Sequence, residues 1–206
     1  MIIDRLELGP FAVNCYLVGD EASKEGMIID PGAEGSIILE KVRSLGLKTK
    51  LIVLTHAHID HIGALKEIKD VTGAEIAIHD NDAGSLRART PFGGFGFAFP
   101  PPPPPDRLLK GGDSLEIGAL KFQVIHTPGH TPGGICLVGN GVVFTGDTLF
   151  NSGIGRTDFP GGSYDELMSS IHTKLIVLPD NTVIYPGHGP QSTIGIERRS
   201  NPFLRG

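Results

Sequence analysis

The sequence has no tryptophan, three tyrosines and two cysteines in 206 residues. Cys15 and Cys136 are too few for a disulfide framework, and both lie within apolar runs, which predicts small buried side chains. No apolar run approaches the roughly 18–20 residues that span a bilayer, and no cleavable apolar leader follows Met1, so we expect a cytoplasmic protein without a membrane partner. The net charge of −5 provides no basic field for a phosphate backbone, which argues against a nucleic-acid partner.

The chain is rich in turn-forming residues, with 29 glycines and 16 prolines that separate short apolar runs. The alternation of predicted strands and helices indicates an α/β protein, and the length suits a single domain, residues 1–206. Strands are predicted at residues 2–8, 11–18, 26–30, 51–54, 74–78, 114–117, 120–126, 134–138, 141–145 and 182–185, the last strand of the chain. Helices are predicted at residues 34–46, 62–72 and 163–176.

Residues 91–105 interrupt this pattern, because phenylalanines alternate with glycines and six prolines follow from Pro100 to Pro105. Proline fixes φ and has no N–H, so the proline run is expected to be extended polyproline II. A stiff surface connector and an apolar lid over a site are both open interpretations of this segment.

The densest polar cluster is residues 55–61, Thr-His-Ala-His-Ile-Asp-His, directly after a predicted buried strand. In an extended chain, residues two apart point the same way, so His56 and His58 can converge on one point. Asp60 and His61 follow in a predicted turn and can serve a second point nearby. Neutral imidazole and carboxylate are ligands for zinc and other borderline divalent metals, so the cluster predicts metal binding.

Three further residues share one setting, a His or Asp just past an apolar strand with glycine beside it. Glycine lets the backbone turn sharply, and strand ends that meet at one sheet edge are where α/β proteins place ligand sites. These three residues are His130, Asp147 and His188.

Five histidines and two aspartates suit two metals with one bridging carboxylate. The predicted cofactors are two divalent ions, zinc in the first place, with iron or manganese accepted by the same donors. Open His/Asp sites are typical of catalytic centres, where a metal-bound hydroxide is the nucleophile. Asp60 is the predicted catalytic residue, because it holds the second metal and orients that hydroxide. The assignment is His56, His58 and His130 to the first metal, Asp60, His61 and His188 to the second, and Asp147 as the bridge.

Residues 55–61, with His130, Asp147 and His188 in order behind them, resemble the metallo-β-lactamase superfamily of metal-dependent hydrolases over nearly the whole chain. This resemblance implies an αβ/βα four-layer sandwich, with two central mixed sheets flanked by helices and the metals at one edge. It also implies that Asp30, which precedes Pro-Gly, is a buried residue that supports a ligand without touching the metal. A simple turn former is the alternative for Asp30.

Residues 146–162 and 185–203 are similar to the glyoxalase II (hydroxyacylglutathione hydrolase) group, in its short type without the C-terminal helical domain. The resemblance implies hydrolysis of an S-acyl thioester, such as S-lactoylglutathione, to a carboxylic acid and a thiol. Arg156 falls where these enzymes place a basic residue beside the thiol substrate, and a cation there suits an anionic ligand. A surface pair with Asp158 is the alternative. Because the missing helical domain supplies glutathione contacts, esters of another small thiol stay open as substrates.

Three histidines lie outside this ligand set. His126 lies four residues before His130 and is a candidate to support it. His79 and His172 are expected to be ordinary surface residues.

Two other functions stay open at this point. A mononuclear-iron persulfide dioxygenase of the same superfamily is similar through residues 155–159, and such enzymes retain the second-site residues, so the ligand count does not exclude it. The stretch 187–190 favours the thioesterase. A non-catalytic metal-binding interaction protein is the second alternative, although the intact ligand set argues against it.

Overall fold

The computed structural model describes residues 1–87 and 101–205, and it divides the chain into two compact units. The first unit is Met1–Leu108 with Ile117–Leu120, and the second is Leu109–Glu116 with Lys121–Gly206. The connector and lid hypotheses fall largely on residues 88–100, which lie outside the described residues, while residues 101–105 have no regular secondary structure.

The first unit contains, among the residues described, one six-stranded mixed sheet and four helices. The strands, β1 to β6 in chain order, are Ile2–Leu8, Val13–Gly19, Glu25–Ile29, Lys48–Val53, Glu75–His79 and Arg107–Leu109. The helices, α1 to α4, are Gly35–Leu45, Ile59–Ile62, Leu65–Thr72 and Asp80–Arg87. The sheet order is β1-β2-β3-β4-β5-β6; β1, β2 and β3 pair antiparallel, and β3, β4 and β5 pair parallel.

The predicted helix at 34–46 is confirmed as α1, which lies between the parallel strands β3 and β4. Its buried side chains Ile38, Leu39 and Val42 belong to the core that also contains the interior of β2. Every residue of β2 is buried, as expected for a strand with both faces covered. The helix ends at Gly46, whose φ of 68° is the left-handed conformation that glycine adopts without strain.

The helix predicted at 62–72 is confirmed as α3, which begins at Leu65, and a short helix, α2, precedes it where the sequence predicted a turn. The Ala64 N–H at the break donates to the Pro31 carbonyl at 2.9 Å. Gly32 lies so close to α2 that a Cβ built on it would be 1.8 Å from the Asp60 carbonyl oxygen. Asp60 therefore lies on a short helix held against Pro31 and Gly32, and not in the predicted turn.

The second unit is built on another mixed sheet, in the order β14-β13-β10-β9-β8-β7, with a separate β11–β12 hairpin. The strands β7 to β14 are Ser114–Ile117, Leu120–His126, Ile135–Gly139, Val142–Gly146, Leu149–Phe150, Gly153–Ile154, Val183–Pro186 and Ser192–Thr193. The helices are α5, Tyr164–Ser170, which continues as a π-helical segment Ile171–Leu175, and α6, Ile194–Ser200. Strands β10 and β13 are parallel neighbours, so their carboxyl ends lie side by side.

The ten predicted strands are confirmed within a few residues, and the helix predicted at 163–176 begins where expected. The Glu166 N–H donates to Ser163 Oγ at 3.3 Å, the capping contact that the sequence predicts. The prediction that the strand at 182–185 is the last one is wrong, because the strand β14 follows it. Helix α6, which was not predicted, follows β14. In the part of the chain that the structure describes, no helix is long and apolar enough to cross a membrane.

Candidate metal centre

Two imidazoles of the first unit face each other just after β4. His56 Nε2 lies 3.1 Å from His58 Nδ1. Two nitrogens bound to one tetrahedral zinc ion at 2.0–2.1 Å are about 3.3 Å apart, so the pair is spaced as ligands of one ion are. The two ring nitrogens therefore lie together as predicted, although β4 ends at Val53 and residues 55 and 56 form a bend and not the expected extended chain.

Asp30 lies behind these ligands and is 1% exposed. Its carboxylate accepts from Thr55 N at 2.7 Å and from Thr55 Oγ1 at 2.6 Å. The same carboxylate lies 2.9 Å from His61 Nδ1. An ionised carboxylate only accepts, so His61 carries its proton on Nδ1 and offers Nε2 as a ligand atom.

Thr55 extends this arrangement to His56. Because the Thr55 hydroxyl donates to Asp30, it accepts from His56 Nδ1, which lies 3.1 Å away. That bond leaves His56 Nε2 for a metal, on the side that faces His58. One buried carboxylate thus fixes the tautomers of two predicted ligands, His61 directly and His56 through Thr55. This is the geometry that a supporting role for Asp30 requires; the role itself stays a prediction.

Asp60 and His61 are neighbours on α2. The Asp60 Oδ2 and His61 Nε2 atoms are 3.8 Å apart, beyond hydrogen-bond distance but close enough for both to reach one cation. The His61 side chain is fully buried, whereas 21% of the Asp60 side chain is exposed. Asp60 is therefore the member of this pair that solvent or a substrate can reach.

In the second unit, one carboxylate oxygen lies between two imidazoles. Asp147 Oδ2 is 3.5 Å from His130 Nε2 and 3.6 Å from His188 Nε2. Asp147 and His188 follow the parallel neighbours β10 and β13, and Gly187 N donates to the Gly146 carbonyl at 2.8 Å, which ties the two strand ends together. These separations are too long for hydrogen bonds and suit donors that share cations.

His130 is held from behind by the backbone. Its Nδ1 donates to the Arg156 carbonyl oxygen at 2.7 Å, which leaves Nε2 for a ligand bond. The preceding residue, Gly155, lies so close to Asp147 that a Cβ would be 1.8 Å from the Asp147 carbonyl oxygen. The loop after β12 thus contacts two predicted ligands. The Arg156 carbonyl was not predicted as a partner of His130, because a backbone acceptor has no sequence signature. Gly155 is the feature of the sequence that indicates a close approach of this loop.

The Arg156 side chain is exposed and engaged within its own loop. Its Nε and Nη2 atoms donate to the two carboxylate oxygens of Asp158 at 2.9 and 2.7 Å, and its guanidinium lies 4.3 Å from the Phe159 ring centroid. The hydrogen bonds from Arg156 lower the pKa of Asp158 to about 2. The surface pair is therefore present, and substrate contact by Arg156 stays a prediction.

The three remaining histidines have different outcomes. The expectation that His79 lies at the surface is wrong: it is the last residue of β5 and is buried, because that strand is covered by the core of the unit. His172 is exposed, as predicted. His126 is half-buried, with Nε2 2.9 Å from the Pro132 carbonyl oxygen, a contact that does not involve His130.

The donor chemistry of both units fits a hard or borderline divalent ion. The donors are imidazole nitrogens and carboxylate oxygens, which suit zinc, iron or manganese. Both cysteines of the sequence are buried within β2 and β9, as predicted, so sulfur contributes nothing to either donor set.

Residues 8–188 match the Metallo-beta-lactamase superfamily, and the chain belongs to that superfamily. It is 42% identical to hydroxyacylglutathione hydrolase GloC of Haemophilus influenzae over 209 residues, which cover 99% of this chain and 98% of that protein. The predicted family and fold class, an α/β protein with two mixed sheets flanked by helices, are therefore confirmed.

Solved structures of the same fold carry several names. The crystal structure of BLEG-1 B3 metallo-beta-lactamase matches with a TM-score of 0.93 and 37% identity over 100% of both chains. The structure of TTHA1623 in a di-iron-bound form matches with a TM-score of 0.89 and 38% identity, over 98% of this chain and 100% of that one. The structure of ETHE1 from Myxococcus xanthus matches with a TM-score of 0.86 and 33% identity, over 99% of this chain and 84% of that one. The superfamily, whose members are generally hydrolases, has a dinuclear metal site, and this chain carries His/Asp donors for one.

Proposed function

We propose that the protein is a metal-dependent hydrolase that cleaves an S-acyl thioester of glutathione or a similar small thiol, with S-lactoylglutathione as the model substrate. The observation that carries the proposal is the set of nitrogen and oxygen donors, in which three imidazoles are oriented from behind by Asp30, Thr55 and the Arg156 carbonyl. The similarity to a hydroxyacylglutathione hydrolase along nearly the whole of both chains supports the choice of substrate.

The metal assignment made from the sequence is kept as part of the proposal. The first ion takes His56, His58 and His130, and the second takes Asp60, His61 and His188. Asp147 is the bridging ligand, which the position of its Oδ2 between two imidazole nitrogens supports. We further propose that both units act as one domain, residues 1–206, in the cytoplasm, with zinc as the usual ion and without a membrane or nucleic-acid partner.

When bound, such ions lower the pKa of water and polarise a carbonyl oxygen. In the proposed reaction, water adds to the thioester carbonyl carbon, the C–S bond breaks with its electron pair going to sulfur, and the thiol leaves with one proton. The acid product releases the other proton. Asp60, partly exposed above the buried His61, accepts a hydrogen bond from the attacking water and orients it. The Arg156 guanidinium, held over the Phe159 ring, attracts an anionic group on the thiol portion of the substrate.

The deciding experiment is metal analysis of protein purified without added metal, followed by a thiol-release assay on S-lactoylglutathione. We expect two ions per chain, thiol release that a chelator abolishes, and recovery on addition of zinc, iron or manganese. A chain that binds no metal, or a metal-loaded chain that releases no thiol, overturns the proposal. A chromogenic cephalosporin belongs in the same assay, since a β-lactamase is among the similar structures.

A persulfide dioxygenase with one iron is the second candidate, because the loop Gly155–Phe159 resembles those enzymes. It predicts one iron per chain and oxygen uptake with glutathione persulfide. Oxygen uptake without thiol release from the lactoyl ester would replace the thioesterase by the dioxygenase.

A further inference from the structure

Helix α4 brings a buried carboxylate to the back of the first metal-binding loop. Asp82 is 2% exposed, and its Oδ2 accepts from the Ala57 N–H at 3.2 Å. Ala57 lies between His56 and His58, whose ring nitrogens are 3.1 Å apart. The backbone that joins the two imidazoles is thus fixed by a side chain from another element, 25 residues along the chain.

The start of α4 is itself anchored. The Asn81 N–H donates to Nδ1 of the buried His79 at 3.3 Å, so the first turn of α4 is tied to the end of β5. Strand β5 pairs in parallel with β4, the strand from which the loop at 55–58 continues. Asp82 therefore reaches Ala57 from a frame that is continuous with the sheet that carries the ligands.

A buried carboxylate is costly unless its hydrogen bonds are made, and a core helix position is filled more simply by an apolar residue. A carboxylate at this position, bonded to the N–H of the residue between two predicted ligands, has a specific use. Asp30 supports His56 and His61 through their rings, whereas Asp82 acts on the peptide that sets the distance between His56 and His58.

We propose that Asp82 is a positioning residue that holds the His56–His58 pair at metal-binding distance. The proposal rests on the proposed function, since it assumes that this pair binds the first ion. Without the Asp82 acceptor, the peptide at Ala57 is released and the two imidazoles separate. Affinity for the first ion then falls, while the second ion keeps Asp60 and His61, which Asp30 and α2 hold independently.

The test is a metal titration of chelator-treated full-length protein against a chromophoric chelator, with zinc as the probe. Asp82→Leu removes the acceptor and keeps the branching at Cγ, and Asp82→Asn keeps an acceptor oxygen. Asp70→Leu is the control, since it removes an exposed carboxylate from α3 of the same unit. Cobalt(II) spectra of each variant report the coordination of the ions separately from any activity.

We expect Asp82→Leu to bind one ion as the parent does and the other about 10–100-fold more weakly, the usual effect of losing a group that orients ligands. Asp82→Asn and Asp70→Leu should bind both ions like the parent. Two unchanged affinities in Asp82→Leu overturn the proposal. So does an Asp82→Leu protein whose metal-free form no longer folds while Asp82→Asn folds, because the contact then maintains the unit and not the ligand spacing. A parent protein that binds none of zinc, iron and manganese refutes the proposed function instead.

Discussion

At the scale of single residues, the centre depends on groups that have no metal-binding signature of their own. The Thr55 hydroxyl links the Asp30 carboxylate to His56 by two hydrogen bonds, and a backbone carbonyl orients His130. Each bond places the proton on Nδ1 and leaves Nε2 as the ligand atom. Preorganisation of this kind predicts that conservative changes at the donors alter chemistry before they alter folding.

Asp60 provides the first prediction. Asp60→Asn keeps the side-chain size and removes the charge, so thioester turnover should fall at least about 100-fold while thermal unfolding of the metal-free protein is unchanged. Asp70→Asn, which changes an exposed carboxylate paired with Lys66, is the control and should be neutral. Near-normal turnover in Asp60→Asn contradicts a two-metal mechanism. A large loss of thermal stability that accompanies the loss of turnover assigns Asp60 a structural role.

Arg156 provides the second prediction, in which the charge of the substrate matters. Arg156→Ala should raise KM for a charged glutathione ester and leave a small neutral thioester almost unaffected, because the lost attraction is to an anionic group. Asp158→Asn removes the internal competitor for the guanidinium, so KM for the glutathione ester should fall. Steady-state kinetics on both esters test this prediction. An equal loss of kcat/KM for the charged and the neutral ester in Arg156→Ala indicates a structural role for Arg156.

The pH range of this pair follows from the lowered pKa of Asp158, about 2, which the hydrogen bonds from Arg156 cause. A carboxyl group whose folded pKa lies below its unfolded value of about 4 contributes stability above that value and loses it as pH falls through about 2. The pair is therefore intact from pH 5 to pH 8. Carboxyl-carbon NMR should place the Asp158 transition near pH 2, and a transition near pH 4 would mean that the pair is open in solution.

At the scale of elements, sequence periodicity predicted the longer strands and α1, because each buries a continuous apolar face. It missed α4, α6 and the strands of two or three residues, which are too short for a period to register. The helix predicted at 62–72 contains α3, but α2 was missed, since its position depends on contact between Gly32 and the Asp60 carbonyl, two positions remote in sequence. The donor residues were visible as a pattern, whereas Asp82 and the Arg156 carbonyl act through packing that only the folded chain shows.

Two glycines provide a prediction at this scale. Gly32 and Gly155 each leave room for the backbone carbonyl of an aspartate, Asp60 and Asp147, at a place where a Cβ would be 1.8 Å away. Gly32→Ala and Gly155→Ala must displace that aspartate, so zinc affinity should fall more than about tenfold in either variant. Gly84→Ala is the control: this helical site has open space around it, so alanine should stabilise the fold by about 0.5–1 kcal/mol. Unchanged zinc affinity in both test variants would contradict the expected displacement.

Helix α6 provides a further prediction through its buried Glu197. This carboxylate accepts from the Ser152 N–H and from Asn201 Nδ2, both at 2.8 Å, and from the Ser192 hydroxyl. Glu197→Ala leaves the buried Ser192 hydroxyl and the buried Asn201 amide without this acceptor, at a cost of about 1–3 kcal/mol in the free energy of unfolding for each donor left unsatisfied. Urea unfolding should show this loss, and Glu166→Ala, at an exposed side chain, should not; equal stability of the two variants refutes it.

At the scale of the whole molecule, the superfamily match spans both compact units, which is why a single domain is proposed. Each unit carries one buried cysteine, Cys15 on β2 and Cys136 on β9. Burial raises the pKa of both thiols, that of Cys136 to about 11, so at pH 8 only about one Cys136 in a thousand is a thiolate.

The two thiols therefore test the single-domain proposal. A disulfide reagent should modify neither cysteine in the native protein at pH 8 and both in denaturant. Measured in Cys15→Ala and Cys136→Ala separately, the two remaining thiols should become reactive at the same urea concentration, because one domain unfolds in one cooperative step. Two separate midpoints would mean that the units unfold independently.

The burial of both cysteines also bears on how the protein tolerates the thiol that the proposed reaction releases. Each turnover of the proposed reaction sets free a thiol. If that thiol is oxidised to its disulfide, any accessible protein thiolate attacks one sulfur of the disulfide, forms a mixed disulfide and expels the other sulfur as a thiolate. Cys15 and Cys136 are neither, and the donors of the metal centre contain no sulfur. The native protein therefore offers no thiolate that can attack the disulfide form of its own product, and its activity should survive a shift of the surrounding thiol pool toward disulfide.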